Sequence, residues 1–72
     1  MPDWVSARRQ QIGERIRTAR LQANLTQAQL GERVGREYRT IHRWEYAQRI
    51  PNLTDLLLLA AALDIPLADL VQ

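Results

Sequence analysis

Residues 25–46 read LTQAQLGERVGREYRTIHRWEY, and this stretch predicts two short helices joined by a glycine turn. Thr26 is a suitable N-cap for a helix over residues 27–34, because its hydroxyl oxygen can accept a hydrogen bond from the first turn. Gly35 follows at once and supplies the left-handed conformation that ends a helix and turns the chain. A second helix is then predicted over residues 37–46. Paired short helices of this kind occur in DNA-binding motifs, although any helical hairpin can share the pattern.

The second helix of this pair has two chemically different faces. With about 100° between successive residues, the side chains that share the outer direction are Arg39, His42, Arg43 and Tyr46. Ile41, Trp44 and Glu45 point the opposite way, and Trp44 is expected in the core. A helix that enters the major groove needs such an outer face, because arginine bonds guanine bidentately and also contacts phosphates. The alternative is an ordinary solvated face that carries two arginines.

Three further helices are predicted around this pair. Apolar residues at helical spacing predict a long first helix, with Asp3 as a candidate cap. Asn52, with Asp55 three residues later, resembles the capping box that starts a helix, and Pro66 suits the first turn of another. The five predicted helices of this single all-α domain, which spans residues 1–72, cover about 4–23, 27–34, 37–46, 53–63 and 66–71.

The charges are distributed unevenly along the chain. All ten basic residues are arginines, and they lie between Arg8 and Arg49. Residues 1–50 carry these ten arginines and five acidic residues, a net charge of +5, whereas residues 51–72 carry three aspartates and a net charge of −3. This asymmetry is expected if one face of the protein meets a polyanion. The absence of lysine has an equally good explanation in the base composition of the source genome.

The residue inventory argues against several classes of function. There is no cysteine, Ser6 is the only serine and His42 is the only histidine. This leaves no plausible nucleophile–base set and too few ligands for zinc, so we expect neither an enzyme nor a metal or other cofactor. A core this small also leaves little room for a small-molecule pocket. No apolar stretch suits a membrane span or a signal peptide, so we expect a cytoplasmic protein.

The stretch from Ile16 to Leu70 resembles, without gaps, the phage-repressor and Cro type (XRE-like) helix-turn-helix family. The matching residues are Arg20, Leu25, Thr26, Gln27, Leu30, Gly31, Glu32, Gly35, Ile41, Trp44, Glu45, Pro51, Leu53, Leu56, Leu59, Ala62, Leu63 and Leu70. The resemblance implies a compact, five-helix, lambda-repressor-like domain. It also implies a sequence-specific binder of double-stranded DNA, usually a dimer and usually a transcriptional regulator, here most simply a repressor.

The resemblance also assigns DNA contacts by position. Gln27, at the start of the predicted helix over residues 27–34, corresponds to a family residue that holds a phosphate. The base-contacting positions of the recognition helix correspond to Tyr38, Arg39 and Arg43. Positions that often touch the DNA backbone correspond to Thr40 and Arg49.

Four residues depart from the pattern of this family. Gly31 stands where alanine is usual, which keeps a close helix approach but costs about 1 kcal/mol of helix propensity. Arg36 and Glu37 replace a small apolar residue and a capping Ser or Thr. Arg36 can extend its side chain to a phosphate and is included among the predicted DNA contacts, whereas Glu37 near DNA is unfavourable unless it pairs with an arginine. Ala47 replaces a glycine that ends the third helix, so a different turn is expected there.

Beneath the motif, the resemblance pairs Arg20 of the first helix with Glu45 on the inner side of the third. A buried pair of this kind strands a charge when one partner is removed, which costs about 3–5 kcal/mol. The alternative is two separate, partly solvated charges.

The predicted fourth helix, LTDLLLLAAAL, is apolar on every side. The residues that suffice to face the core on a helical projection are Leu56, Leu59, Ala60 and Leu63. Leu58 projects to nearly the opposite side, and a helix that is apolar all round is normally covered on both sides. We therefore expect a homodimer with Leu58, Ile65 and Leu67 in its interface, bound to a palindromic operator, as is common in the family. The alternative is that Leu58 is a tolerated exposed leucine.

Two functions remain open at this point. One is the DNA-binding regulator, and the other is a protein-interaction or antitoxin-like module that uses the same fold to hold a partner. The basic face of the third helix argues against interaction as the only role. The apolar excess of the fourth helix argues that interaction is part of it.

Overall fold

The computed structural model describes residues 2–72, and within them the chain forms five helices and no strand. The helices are α1 (Asp3–Gln22), α2 (Gln27–Val34), α3 (Tyr38–Glu45), α4 (Leu53–Leu63) and α5 (Ala68–Val71). The predicted all-α, five-helix fold is confirmed.

Two of the helices begin with the reciprocal hydrogen bonds of a capping box. At α2, Thr26 Oγ1 accepts from Gln29 N at 3.0 Å, and Gln29 Oε1 accepts from Thr26 N at 2.9 Å. At α4, Asn52 Oδ1 accepts from Asp55 N at 2.8 Å, and Asp55 Oδ2 accepts from Asn52 N at 3.3 Å. Each bond satisfies an N–H that the helix itself cannot pair, and both predicted helix starts are confirmed.

Three of the helices have bounds that differ from the prediction, and one of these differences is that α1 ends at Gln22, one residue early. Asp3 is the first residue of α1 and not its cap, because Pro2 occupies the capping position in an extended conformation. The last helix begins at Ala68 instead of Pro66, since the chain after Pro66 first closes a tighter turn in which Asp69 N donates to Pro66 O at 3.0 Å. Helix α3 is one residue shorter at each end, and the preceding Glu37 makes no side-chain capping bond.

Left-handed residues lie in each connection from α1 to α5. Gly35 has φ +73°, as predicted, and its N–H donates to Gly31 O. The other left-handed residues are Asn24, Ala47 and Asp64, with φ of 58°, 58° and 55°. The expectation of a different turn at Ala47 is therefore wrong, because the turn after α3 has the left-handed backbone that favours glycine. A conformation of this kind costs an L-residue about 1–2 kcal/mol.

The core lies between the helices and receives apolar side chains from all five. Its buried members are Ile16, Leu25, Leu30, Val34, Ile41, Trp44, Leu59, Ala60, Leu63 and Leu70. Trp44 is 4% exposed, so the expectation that it is a core residue is confirmed.

Two helical glycines allow neighbouring backbones to approach α1 and α2. A Cβ on Gly13 of α1 would lie 2.6 Å from Glu45 O and 2.7 Å from Trp44 O. A Cβ on Gly31 of α2 would lie 2.5 Å from Arg36 O. These distances are too short for any side chain, so both glycines fix how closely α3 and its preceding turn pack on the first two helices.

Candidate nucleic-acid interface

Helix α3 has a buried side and an exposed side, as its sequence predicts. Ile41, Trp44 and Glu45 are buried beneath α1 and α2. The opposite side carries the exposed residues Arg39, His42, Arg43 and Tyr46. The apolar side therefore anchors the helix while two guanidinium groups and two aromatic rings face solvent.

Tyr38 and Arg39 form a pair at the start of α3. Arg39 Nε donates to Tyr38 Oη at 3.4 Å, and the guanidinium carbon lies 5.9 Å from the centre of the tyrosine ring. This hydrogen bond raises the pKa of Arg39 above its ordinary value. The guanidinium remains cationic, and both side chains lie at the end of α3 that is next to the turn.

A polar pocket of about 230 Å³ lies between α3 and the start of α4. It is lined by Arg36, Thr40, Arg43, Trp44, Arg49, Ile50 and Asp55. Arg36 Nη2 donates to Asp55 Oδ1 at 2.8 Å, while the Arg36 side chain is 47% exposed. The pocket thus gathers three guanidinium groups and a hydroxyl, which are donors that bind phosphate oxygens.

Gln27, the first residue of α2, connects the buried and exposed sides of α3. Its Nε2 donates to Glu45 Oε1 at 3.2 Å and lies 3.4 Å from His42 Nδ1. The backbone N–H groups of Gln27 and Ala28 belong to the first turn of α2, where no carbonyl of the same helix can accept from them. A helix end of this kind attracts anions.

Arg20 and Glu45 meet in a buried, two-bond ion pair between α1 and α3. Arg20 Nε donates to Glu45 Oε2 at 2.6 Å and Arg20 Nη2 to Glu45 Oε1 at 3.1 Å. Arg20 Nη1 donates to Leu25 O at 2.9 Å. The two residues are 7% and 3% exposed, so they are not two separate solvated charges.

Residues 16–70 of the chain match the Helix-turn-helix family. The chain belongs to this family. The match covers the same stretch that carries the resemblance in the sequence, and the predicted membership is confirmed. Among curated protein sequences nothing matches.

Two solved structures are similar to this helix-turn-helix chain. The P22 c2 repressor protein, in complex with synthetic operator 9T in the presence of Tl+, has 38% sequence identity and a TM-score of 0.81, over 88% of this chain and 96% of that one. The restriction-modification controller protein C.AhdI from Aeromonas hydrophila has 33% identity and a TM-score of 0.85, over 89% of this chain and 97% of that one.

The sequence did not predict several contacts in this helix-turn-helix domain. Asp55 was expected to cap α4, but its role as the partner of Arg36 has no local signal, because 19 residues separate the two. The link from Gln27 to His42 joins residues 15 positions apart and was likewise missed.

The residues predicted for a dimer interface are exposed to different degrees. Leu58 is 44% exposed, whereas Ile65 and Leu67 are half-buried and pack against the core. Leu53 and Leu57 are 64% and 51% exposed, and neither was predicted to lie in that interface. The apolar surface therefore extends to the beginning of α4.

Within residues 2–72, no cluster of three His, Asp or Glu side chains is placed to hold a metal ion. None of the helices in that range combines the length and the hydrophobicity that crossing a membrane requires.

Proposed function

We propose that this helix-turn-helix protein is a sequence-specific, double-stranded DNA-binding transcriptional regulator that acts as a repressor and enters the major groove with α3. The observation that carries the proposal is the two-sided α3. Ile41 and Trp44 anchor it from within, while Arg39 and Arg43 are presented outward. The P22 c2 repressor, which is 38% identical, has been solved with an operator. A cytoplasmic location, where the DNA is, accompanies this function.

Within this function the exposed residues divide into two roles. Tyr38, Arg39 and Arg43 contact base edges, where arginine can pair with guanine through two hydrogen bonds. Phosphates bind at two places: the first turn of α2 at Gln27, and the pocket formed by Arg36, Thr40 and Arg49. Phosphate contacts fix the register of the protein on the duplex, and the contacts from α3 supply its sequence preference.

The regulator acts as a homodimer on a palindromic operator, with α4 and α5 between the two copies. Leu58, Ile65 and Leu67 belong to the contact surface, and the exposure of Leu58 supports this choice. A two-fold dimer places two recognition helices about one turn of DNA apart. Sedimentation equilibrium of the wild type should give a dimer, and Leu58→Glu should give a monomer. Unchanged self-association of Leu58→Glu would exclude this surface.

Selection of bound sites from random duplexes tests the proposed function directly. We expect a defined site, with an affinity that falls steeply as salt rises. Arg39→Ala should weaken specific binding by about 1–3 kcal/mol and relax the preference at one base position. Arg17→Ala is a matched control, since Arg17 is exposed on α1 and belongs neither to the proposed DNA contacts nor to the proposed dimer surface. Equal site preferences for Arg39→Ala and the wild type would exclude Arg39 from the base-contacting residues.

A second candidate function is a protein-interaction or antitoxin-like module. The observation that favours it is the exposed apolar side chains of Leu53 and Leu57 on α4. This function requires no preferred DNA site, so the same selection separates it from the regulator.

A further inference from the structure

His42 occupies the exposed side of α3 but has no role in the function proposed above. It lies one turn after Arg39 and one turn before Tyr46. Its ring packs against the Tyr46 ring, with the two centres 4.7 Å apart and the planes tilted by 38°. The tyrosine therefore restricts the rotation of the imidazole while leaving the outer edge of the ring in solvent.

The orientation of the Gln27 amide is determined by the carboxylate beneath it. Glu45 Oε1 can only accept, so the Gln27 atom 3.2 Å away must be the donor nitrogen Nε2. Glu45 is itself held by Arg20, whose Nε lies 2.6 Å from its other oxygen. The buried ion pair thus fixes which end of the Gln27 amide is turned toward α3.

This orientation also favours one of the two tautomers of the neutral His42 imidazole. Gln27 Nε2 lies 3.4 Å from His42 Nδ1, and a nitrogen that faces an N–H donor must act as the acceptor. In a neutral imidazole one nitrogen accepts and the other donates. The Gln27 contact therefore favours the tautomer of His42 with the hydrogen on Nε2, the ring nitrogen that does not face Gln27.

We propose that His42 is a specificity-determining residue, whose Nε2–H donates to an acceptor on a base edge in the major groove, with Gln27 as its positioning residue. This inference rests on the proposed function, in which α3 enters that groove. His42 then lies between the base contacts of Arg39 and Arg43. Guanine, adenine and thymine present acceptors there, whereas cytosine presents only its amino donor. His42 therefore excludes cytosine at the base that it contacts.

Two variants separate the two edges of the imidazole. His42→Asn places an amide oxygen near the position of Nδ1, so it can accept from Gln27 but cannot reach the DNA. His42→Gln extends an amide N–H group to about the position of Nε2 but has no acceptor for Gln27. Sites are selected from random duplexes with the wild type and both variants, and thermal melts establish that all three are folded.

We expect His42→Asn to reduce discrimination against cytosine at one position of each half-site by about threefold to tenfold, as the loss of one hydrogen bond implies. His42→Gln should retain part of this discrimination. Identical preferences for His42→Asn and the wild type would overturn the proposal. A loss of affinity that is the same for every sequence would assign His42 to a phosphate instead. A wild-type protein that selects no site would refute the proposed function, and with it this role of His42.

The positioning role of Gln27 has a readout that does not depend on DNA. Nitrogen-15 NMR of the imidazole in the free protein at pH 8 distinguishes a protonated Nε2 from a protonated Nδ1. We expect the hydrogen on Nε2, and we expect Gln27→Leu to shift the Nδ1 resonance because its hydrogen bond is lost. A hydrogen found on Nδ1, or an Nδ1 resonance that Gln27→Leu does not move, would overturn the link between Gln27 and His42.

Discussion

Two arginine–carboxylate pairs flank α3, and they differ in exposure far more than in geometry. The Arg20–Glu45 distance is 2.6 Å and the Arg36–Asp55 distance is 2.8 Å. The carboxylates of both pairs are buried, with Glu45 0% and Asp55 8% exposed, but the Arg20 side chain is 9% exposed and the Arg36 side chain 47%. An arginine–carboxylate pair can therefore hold helices together at one place, while at another its arginine remains free to change its hydrogen-bond partner.

The number of hydrogen bonds on each guanidinium explains the difference. Arg20 uses three nitrogens, two toward Glu45 and one toward Leu25 O, as a charge removed from water requires. Arg36 uses one nitrogen toward Asp55. Its remaining donors face a pocket that water and phosphate can enter, so the Arg36 guanidinium stays solvated if it moves from Asp55 to DNA. The buried Asp55 carboxylate then keeps its hydrogen bond from Asn52 N.

The largest effect should come from breaking the buried pair. Glu45→Ala or Arg20→Ala strands the opposite charge, and each should lower the free energy of unfolding by about 3–5 kcal/mol. That is a large share of the stability of a small domain. Urea denaturation and thermal melts measure the loss, with Arg36→Ala for comparison. It should cost less, because the Asp55 carboxylate keeps its hydrogen bond from Asn52 N and borders a pocket that water can enter. Losses below about 1 kcal/mol for both variants would contradict a structural role for the pair.

The next-largest effect on stability should come from substituting the glycine that packs against one residue of each pair. Gly13 lies against the Glu45 carbonyl and Gly31 against the Arg36 carbonyl. Gly13→Ala must push apart two packed helices, and overpacking of this kind costs about 1–3 kcal/mol. Gly31→Ala should cost less, because Arg36 lies in a turn that can shift and alanine returns about 1 kcal/mol of helix propensity. Urea midpoints rank the two variants, and the reverse order would contradict this reasoning.

A smaller effect should appear in DNA binding when the exposed pair is changed. Arg36→Ala should weaken binding to all duplexes about equally and reduce the slope of log affinity against log salt by about 1. Asp55→Asn releases Arg36, removes a negative charge, and keeps an oxygen that can accept from Asn52 N, so affinity should rise by up to about fivefold. Fluorescence anisotropy over a salt series measures both. Wild-type binding by Arg36→Ala at every salt concentration would show that Arg36 stays with Asp55 on DNA.

The smallest effect concerns the turn two residues beyond the buried pair. Ala47 has φ 58°, a conformation that glycine adopts without the steric cost. Ala47→Gly should therefore stabilise the protein by about 0.5–1 kcal/mol, measured by thermal melting. Ala7→Gly, on an exposed position within α1, is the control and should destabilise by a similar amount. A destabilised Ala47→Gly would mean that the left-handed turn carries little strain.

Sequence reasoning succeeded in this molecule where the interacting residues lie close together in the chain, and it failed where they lie far apart. Thr26, Gly35 and Asn52 act within one helical turn, and their sequence signals gave correct helix boundaries. The partnership of Arg36 with Asp55 depends on how α2 and the turn that follows it pack against α4, which no local pattern encodes. The same holds for Gly13, whose contact lies 32 residues away at Glu45. The partnership of Glu45 with Arg20 was predicted only because a family resemblance carried it.

The missing side-chain cap of α3 links DNA recognition to global folding. Eight residues without a capping bond from Glu37 do not form a stable helix in water, so α3 exists because Ile41, Trp44 and Glu45 are packed beneath it. Its amide hydrogens should exchange only when those contacts open, together with the core and not by fraying of the helix alone. The recognition surface and the folded core therefore share a single equilibrium, and the temperature that melts the core removes the ability to recognise DNA in the same transition.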